Sequence, residues 1–240
     1  MMLTARYQED ERPEIGVDEA GRGSFWGPLT AGAVCLPPLS EWTDEHRTVF
    51  LPIRDSKKIS PKKREVLATQ LRDLLGNRCA VGMVSAEEIN QQGVTWANRE
   101  AFRRAIRGVG GGETHRLLID GTLAIDDWTG EQHVIVEGDG TYLAIAAASI
   151  LAKVEHDQWI RVYAEEHPEC EERYHLVSSK GYGTAKHREA IRLYGGHAHH
   201  REAFIQHWLP DAPVKEAKQK VKQQAKQTQA KQTEECLIRF

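Results

Sequence analysis

Residues 15–27 read Ile-Gly-Val-Asp18-Glu19-Ala-Gly21-Arg22-Gly23-Ser-Phe-Trp-Gly, an apolar run that ends on two adjacent carboxylates and passes directly into a Gly-Arg-Gly loop. Carboxylate oxygens suit a hard divalent cation. A glycine loop lets backbone N–H groups approach an anion, and an arginine between the glycines adds positive charge. Two more acids end apolar runs or lie just past them: Asp120, after Arg116-Leu-Leu-Ile, and Asp139, between Gly138 and Gly140. Carboxylates gathered without partners repel one another and resist ionisation. A pair of divalent cations removes that conflict and, at about 4 Å separation, can activate a water and stabilise a leaving oxygen in phosphodiester hydrolysis.

Each of these features also has a plainer reading. An Asp-Glu pair can be a solvated strand end, Gly21-Arg22-Gly23 a tight turn, and Asp139 a turn residue between strand and helix. Consecutive strand residues point to opposite faces, so Glu19 joins Asp18 only where the strand geometry breaks down, which Ala20-Gly21 permits. Ser149 and Lys153, four apart, share a helical face and either support the acidic centre or pack and pair there. Asp157, far along the same helix, fits a salt bridge better than a further ligand. His197-Ala-His199-His200 has no cysteine or carboxylate nearby to complete a zinc set and reads as a loop.

The elements that must position these residues follow from periodicity and caps. Residues 14–19, 29–36, 79–84, 116–121 and 133–137 have the character of strands. Ser60-Pro61 opens a helix that runs to Leu75 and ends at Gly76. Ser85 and Glu88 have capping-box spacing. Residues 94–106 place Ala97, Ala101, Phe102, Ala105 and Ile106 at helical spacing. Further helices cover about 141–167 and 184–194. In such an order, parallel neighbours bring their C-terminal ends to one edge, where ligand sites form, and Asp18 and Asp120 converge if their strands are adjacent.

The chain has 240 residues, 40% hydrophobic and 28% charged, enough for a sizeable core. Its N-terminus has no apolar signal region, and residues 143–152 are too short and alanine-rich to span a bilayer. Four widely spaced cysteines without a CxxC pair point to reduced thiols and a cytoplasmic setting. The net charge of −3 is unevenly spread: residues 211–240 hold seven Lys and Arg against four Asp and Glu. This Lys/Gln/Ala-rich tail lacks an apolar face and reads as a flexible or helical extension of a domain covering residues 1–210.

With these residues in hand, the chain resembles type 2 ribonucleases H, the bacterial ribonuclease HII family. The matching elements run in order over most of residues 14–210: Gly-Val-Asp18-Glu19-Ala-Gly-Arg22-Gly; Asp55-Ser56-Lys57-Lys58; Ile119-Asp120-Gly121; Gly138-Asp139; Ala-Ala-Ser149-Ile-Leu-Ala-Lys153-Val; Lys180-Gly181-Tyr182-Gly-Thr; and His200-Arg201 with Phe204. The resemblance implies an α/β ribonuclease H-like fold: a five-stranded mixed sheet with helices on both faces, followed by a helical region from about residue 165. It implies an endonuclease that cuts the RNA strand of RNA–DNA hybrids and cuts 5′ of ribonucleotides embedded in duplex DNA, leaving 3′-hydroxyl and 5′-phosphate ends.

Carried over by position, Asp18, Glu19, Asp120 and Asp139 would be catalytic and hold Mn²⁺ or Mg²⁺. Gly21, Arg22 and Gly23 would contact the ribonucleotide 2′-OH, Tyr182 would stack at the RNA-to-DNA junction, and Ser56 and Lys57 would bind a phosphate. A 2′-OH is the group that separates RNA from DNA, and it can be probed without reading a base. The chain departs from the family pattern at Glu137 (commonly Lys), His156-Asp157 (usually Arg-Asp), Ser179 (often His) and Ala203 (commonly Ser). These positions bear on pH and metal preference and leave the acidic core intact.

Two other function classes compete. A related fold that only grips hybrids would gain nothing from four gathered carboxylates. A two-metal nuclease acting on DNA would have little use for the Gly-Arg-Gly and Lys-Gly-Tyr pair. At the chain end, Leu237 and Phe240 faintly resemble the peptides by which replication proteins dock on a sliding clamp. Nothing in the sequence demands more than a monomer.

Overall fold

Five short apolar runs make one sheet in the computed structural model, which describes residues 3–210. They are β1 (Glu14–Ala20), β2 (Leu29–Cys35), β3 (Cys79–Val84), β4 (Arg116–Asp120) and β5 (Gln132–Ile135), in the spatial order β3-β2-β1-β4-β5. β1 pairs antiparallel with β2, and β2 with β3, whereas β1–β4 and β4–β5 are parallel. The expected mixed sheet is therefore present, and β1 and β4 end at the same edge.

The register decides what happens at that edge. Parallel pairing of β1 with β4 stops at Val17 opposite Ile119. Antiparallel pairing of β1 with β2 continues to Ala20 opposite Thr30. Asp18 and Glu19 thus lie past the last parallel pair, still on a regular strand. The expected breakdown of strand geometry at Glu19 does not occur; what opens the edge is the loss of the β4 partner.

The helices are α1 (Asp44–Phe50), α2 (Pro61–Leu75), α3 (Ala86–Gln92), α4 (Val94–Gly108), α5 (Leu143–Glu166), α6 (Pro168–Tyr174), α7 (Leu176–Ser179), α8 (Ala185–Tyr194) and α9 (Glu202–Ile205). α4 covers one face of the sheet through Ala97, Ala101, Phe102 and Ala105 against Ile15, Val17, Leu29 and Ala31. α2 and α5 cover the other, where Leu67, Leu71, Ala147 and Ile150 meet Val34. A Cβ on Gly16 would sit 2.2 Å from the Ala144 carbonyl carbon, and one on Gly32 2.1 Å from the Ala148 oxygen. Bare backbone on β1 and β2 thus lets the alanine-rich start of α5 lie against the strands. Asp18, opposite Gly32 in the register, shares the face that α5 covers.

A third cluster joins the end of α5 to the C-terminal helices through Trp26, Ile160, Tyr174, Leu176, Ile191 and Ile205. This is the helical region expected from about residue 165. Three local details differ from the sequence expectation. β5 stops at Ile135 because Glu137 adopts a left-handed conformation (φ 55°) and turns the chain into a 3-10 turn, Gly138–Gly140. α5 consequently starts at Leu143. α1 lies in a stretch to which the sequence assigned no element; it buries only Val49 and Phe50, and a Thr43–His46 capping box starts it. Among the described residues no helix is long and apolar enough to cross a membrane. The tail 211–240, with Leu237 and Phe240, lies outside the described residues.

Candidate active site

A cleft of about 390 Å³ at the C-terminal edge of the sheet is lined by Asp18, Glu19, Gly21, Arg22, Gly23, Ser56, Lys57, Asp120 and Tyr182, together with Arg64, Ser149 and Lys153. Nine of the ten residues singled out from sequence therefore meet on one surface. The tenth, Asp139, is buried beside it in the Gly138–Gly140 turn. Its Oδ2 lies 3.7 Å from the Lys57 ammonium. The Asp120 carboxylate accepts the Gly138 N–H at 2.7 Å, which fastens that turn to the end of β4.

Charge at this edge is unfavourable as it stands. Burial, then the neighbouring Asp120, pushes the Asp18 carboxyl well above its ordinary range, against a hydrogen bond from Ser149. Burial raises Glu19 as well, opposed by Arg22, whose guanidinium stands 3.8 Å away. Asp139 is raised by burial and by Asp120, with Lys57 pulling the other way. Lys57 is drawn down by burial, yet Asp139, Asp55, Asp18 and Asp120 together carry it above its ordinary value.

Oxygen donors in this state suit a hard divalent cation such as Mg²⁺ or Mn²⁺. The Asp139 Oδ2 atom is buried with no hydrogen-bond partner, an acceptor left open beside the cleft. Among the described residues no three or more His, Cys, Asp or Glu side chains are already gathered closely enough to hold a metal ion. The acids fit cations as an open edge, accessible to a substrate, more than as an enclosed structural site.

One support was not visible in the sequence, and others take definite roles in the structure. Asn98, on α4, is buried, and its side chain weakly favours the charged form of Glu19 from the opposite face of the sheet. Its one signal is a polar side chain four residues before Phe102 on the apolar stripe. Ser149 favours the charged form of Asp18 and meets the buried Ser56 hydroxyl at 3.0 Å. Asp157 bridges Lys153 and Lys180 at 2.5 Å each, as the salt-bridge residue expected. Lys153 also stands 5.3 Å over the Tyr182 ring. His156 is buried under Gly21, where an added Cβ would lie 2.7 Å from its ring, and burial holds its imidazole near 3.

Arg201 is fully buried. It donates to the carbonyls of Gly21 (2.6 Å), Arg22 (3.0 Å) and Gly27 (3.1 Å), so it serves the loop from beneath and is closed to phosphate. The histidine segment, read as a loop, stacks on Trp26, with His197 4.8 Å from the indole.

The family model described as Ribonuclease HII matches residues 15–209. The chain belongs to the ribonuclease HII family. The ribonuclease HII of Prochlorococcus marinus is 39% identical over 191 residues, covering 79% of this chain and 94% of the relative. The ribonuclease H2 of Pyrococcus horikoshii OT3 superposes with a TM-score of 0.63 at 24% identity, covering 82% of this chain and 96% of that one. The ribonuclease HII of Archaeoglobus fulgidus, solved in complex with PCNA, gives 0.58 at 23%, covering 78% and 91%. Bst-RNase HIII, solved with Mn²⁺, gives 0.55 at 19%, covering 83% and 66%. These structures share the ribonuclease H fold seen here. As a ribonuclease HII, the chain is an endonuclease hydrolase that cleaves RNA in RNA–DNA hybrids.

Proposed function

We propose that this ribonuclease HII cuts the RNA strand of hybrids and also cuts 5′ of single ribonucleotides embedded in duplex DNA, leaving 3′-hydroxyl and 5′-phosphate ends. The observation that carries this reading is one cleft holding both a self-repelling carboxylate edge and a glycine loop beside a half-buried tyrosine. Asp18, Glu19, Asp120 and Asp139 hold Mg²⁺ or Mn²⁺; a bound pair supplies an activated water and neutralises the leaving oxygen. Ser149 orients Asp18, and Asn98 orients Glu19. Ser56 and Lys57 meet a substrate phosphate, Lys57 from its exposed position over Asp139.

Gly21, Arg22 and Gly23 present backbone groups to the 2′-OH, and Tyr182 closes the same position with its ring. A hydroxyl that both donates and accepts is recognised there without reference to base identity. Residues 1–210 form the catalytic domain and 211–240 an appended basic tail. Leu237 and Phe240 in that tail dock on a sliding clamp, a reading that the PCNA complex of the Archaeoglobus fulgidus relative supports. The enzyme works as a monomer in the cytoplasm, in ribonucleotide excision during DNA replication and repair.

The test is cleavage, with Mg²⁺ or Mn²⁺, of a DNA duplex carrying one ribonucleotide, beside an all-DNA duplex and the Asp120→Asn variant. We expect cutting of the first duplex alone and none by the variant. Equal cutting of both duplexes would overturn sugar recognition, and activity in Asp120→Asn would overturn the metal assignment. For the tail, deletion of residues 234–240 is expected to abolish clamp affinity; unchanged affinity refutes that contact.

A further inference from the structure

Two segments of the cleft, Gly21 to Gly23 and Lys180 to Tyr182, are 157 or more residues apart in sequence, and neither is held by the sheet. Both are tied to a third segment, His199 to Arg201. Ser24 bridges Tyr182 and Trp26 bridges His200 in antiparallel fashion. Phe25 N–H donates to the Gly181 carbonyl at 2.8 Å, Gly27 N–H to His199 at 2.9 Å, and Arg201 N–H to Phe25 at 2.8 Å. Gly181 itself is locked in place: a Cβ there would lie 2.6 Å from Ser24 Oγ.

The side chains of His200 and Arg201 extend this tie in two directions. Arg201 spreads its guanidinium over the Gly21, Arg22 and Gly27 carbonyls, with no carboxylate among these partners. Such a planar fork fixes three carbonyls at once, and it turns the loop's N–H groups away from itself. His200 starts a chain whose polarity is determined at every link. The His197 N–H donates to His200 Nδ1 at 2.9 Å, so the proton of a neutral His200 is on Nε2. That Nε2–H faces His187 Nε2 at 3.0 Å, which leaves His187 protonated on Nδ1. His187 Nδ1–H reaches Ser179 Oγ at 3.3 Å, and the Tyr182 carbonyl also lies within its range. Ser179 Oγ in turn accepts the Gly181 N–H at 3.2 Å and donates to the Leu176 carbonyl at 3.3 Å. All three side chains are buried, so each bond is held in a low-dielectric setting where an unmade partner is costly.

We infer that His200 and Arg201 are positioning residues for sugar recognition: Arg201 sets the Gly21–Gly23 loop, His200 sets the tyrosine segment through His187 and Ser179, and their adjacency fixes both contacts in one register. This rests on the reading that those two segments meet the ribose. A 2′-OH then finds its two partners at a preset spacing, and neither segment moves without the other. Ser179 is the terminal link by which this chain completes the relay.

The test uses the full chain with Ser179→Ala, which removes the last link without adding bulk, and Arg201→Lys, which keeps the charge and loses the fork, each first checked for folding by circular dichroism. Hydrogen exchange without substrate should quicken at residues 180–183 in Ser179→Ala and at 21–27 in Arg201→Lys. For the single-ribonucleotide duplex we expect KM to rise about fivefold, the size of one buried hydrogen bond, with kcat changed less. In a Tyr182→Ala background the Ser179→Ala effect on KM should vanish, since it acts through that ring. Unchanged exchange in both variants, or losses that add fully to Tyr182→Ala, would overturn the inference. A wild-type enzyme that fails to cut the duplex would sink the proposed function, while the exchange experiment would still decide the tie between the segments.

Discussion

At the N-terminal ends of β1 and β4, Arg116 donates to Asp10 (2.6 Å), Glu14 (2.9 Å) and Glu131 (2.7 Å). Asp10 and Glu131 are held at about 2 by these hydrogen bonds, and the Arg116 guanidinium is raised in return. At the C-terminal ends of the same two strands, Asp18 and Asp120 stand together with Glu19 beside them, and burial and mutual repulsion raise Asp18 and Glu19. Both ends gather acids: Glu14 on β1 with Asp10 and Glu131 just outside the strands at one, and Asp18, Glu19 and Asp120 on β1 and β4 at the other. What differs is whether a buried guanidinium is hydrogen-bonded directly to those acids. One end carries its own arginine and is finished on folding; the other keeps a charge conflict that, on the proposed function, an external cation relieves.

The largest contrast should come from Asp120→Asn and Arg116→Met. Asp120→Asn is expected to lower cleavage by at least about 10³-fold with the fold intact, measured by single-turnover kinetics and circular dichroism. Arg116→Met should cost about 3 kcal/mol of stability, since it strands acids around a buried position, with cleavage per folded molecule retained. If both substitutions damage stability alike, the two ends are not different in kind.

A second contrast is the response to metal. Saturating Mn²⁺ should stabilise the wild type by about 2–3 kcal/mol at a hundredfold excess over its dissociation constant. Arg116→Met should keep that increment in a thermal melt. Without metal, pH separates the ends again. The folded-state pKa of Asp18 is raised, so its ionisation opposes folding at neutral pH, and stability returns as pH falls through that raised value. Asp10 and Glu131 are depressed, so their contribution is present above the ordinary carboxylate range and is lost as pH falls towards about 2. The midpoint of thermal unfolding should therefore hold or rise on mild acidification and drop only in strong acid.

The smallest effect expected is that of Lys57→Ala. This exposed lysine, 3.7 Å from Asp139, should chiefly raise KM for substrate, by about three- to tenfold. An unchanged KM would remove Lys57 from phosphate contact.

Much of this was legible before the fold was known, for identifiable reasons. Asp18, Glu19 and the glycine loop are contiguous, so type and order alone carry their chemistry. Ser60-Pro61 and Gly76 bound α2 because caps act within a single turn. Asn98 and Arg201 were not legible as site supports: their meaning depends on which carboxylate or carbonyl another segment brings to them. Glu137 shows the same limit locally, since a left-handed residue that ends β5 leaves no mark in residue type. The assumed kink at Glu19 was a reasonable inference from strand alternation, but pairing beyond the strand itself governs that edge.

If repulsion among these buried carboxylates is what the proposed metal site costs the fold, thermal unfolding of Asp18→Asn at neutral pH, with and without Mn²⁺, decides it. The variant should be more stable than the metal-free wild type, with no metal-induced increment and no cleavage. A variant that melts lower than the wild type and still gains stability from Mn²⁺ would contradict it.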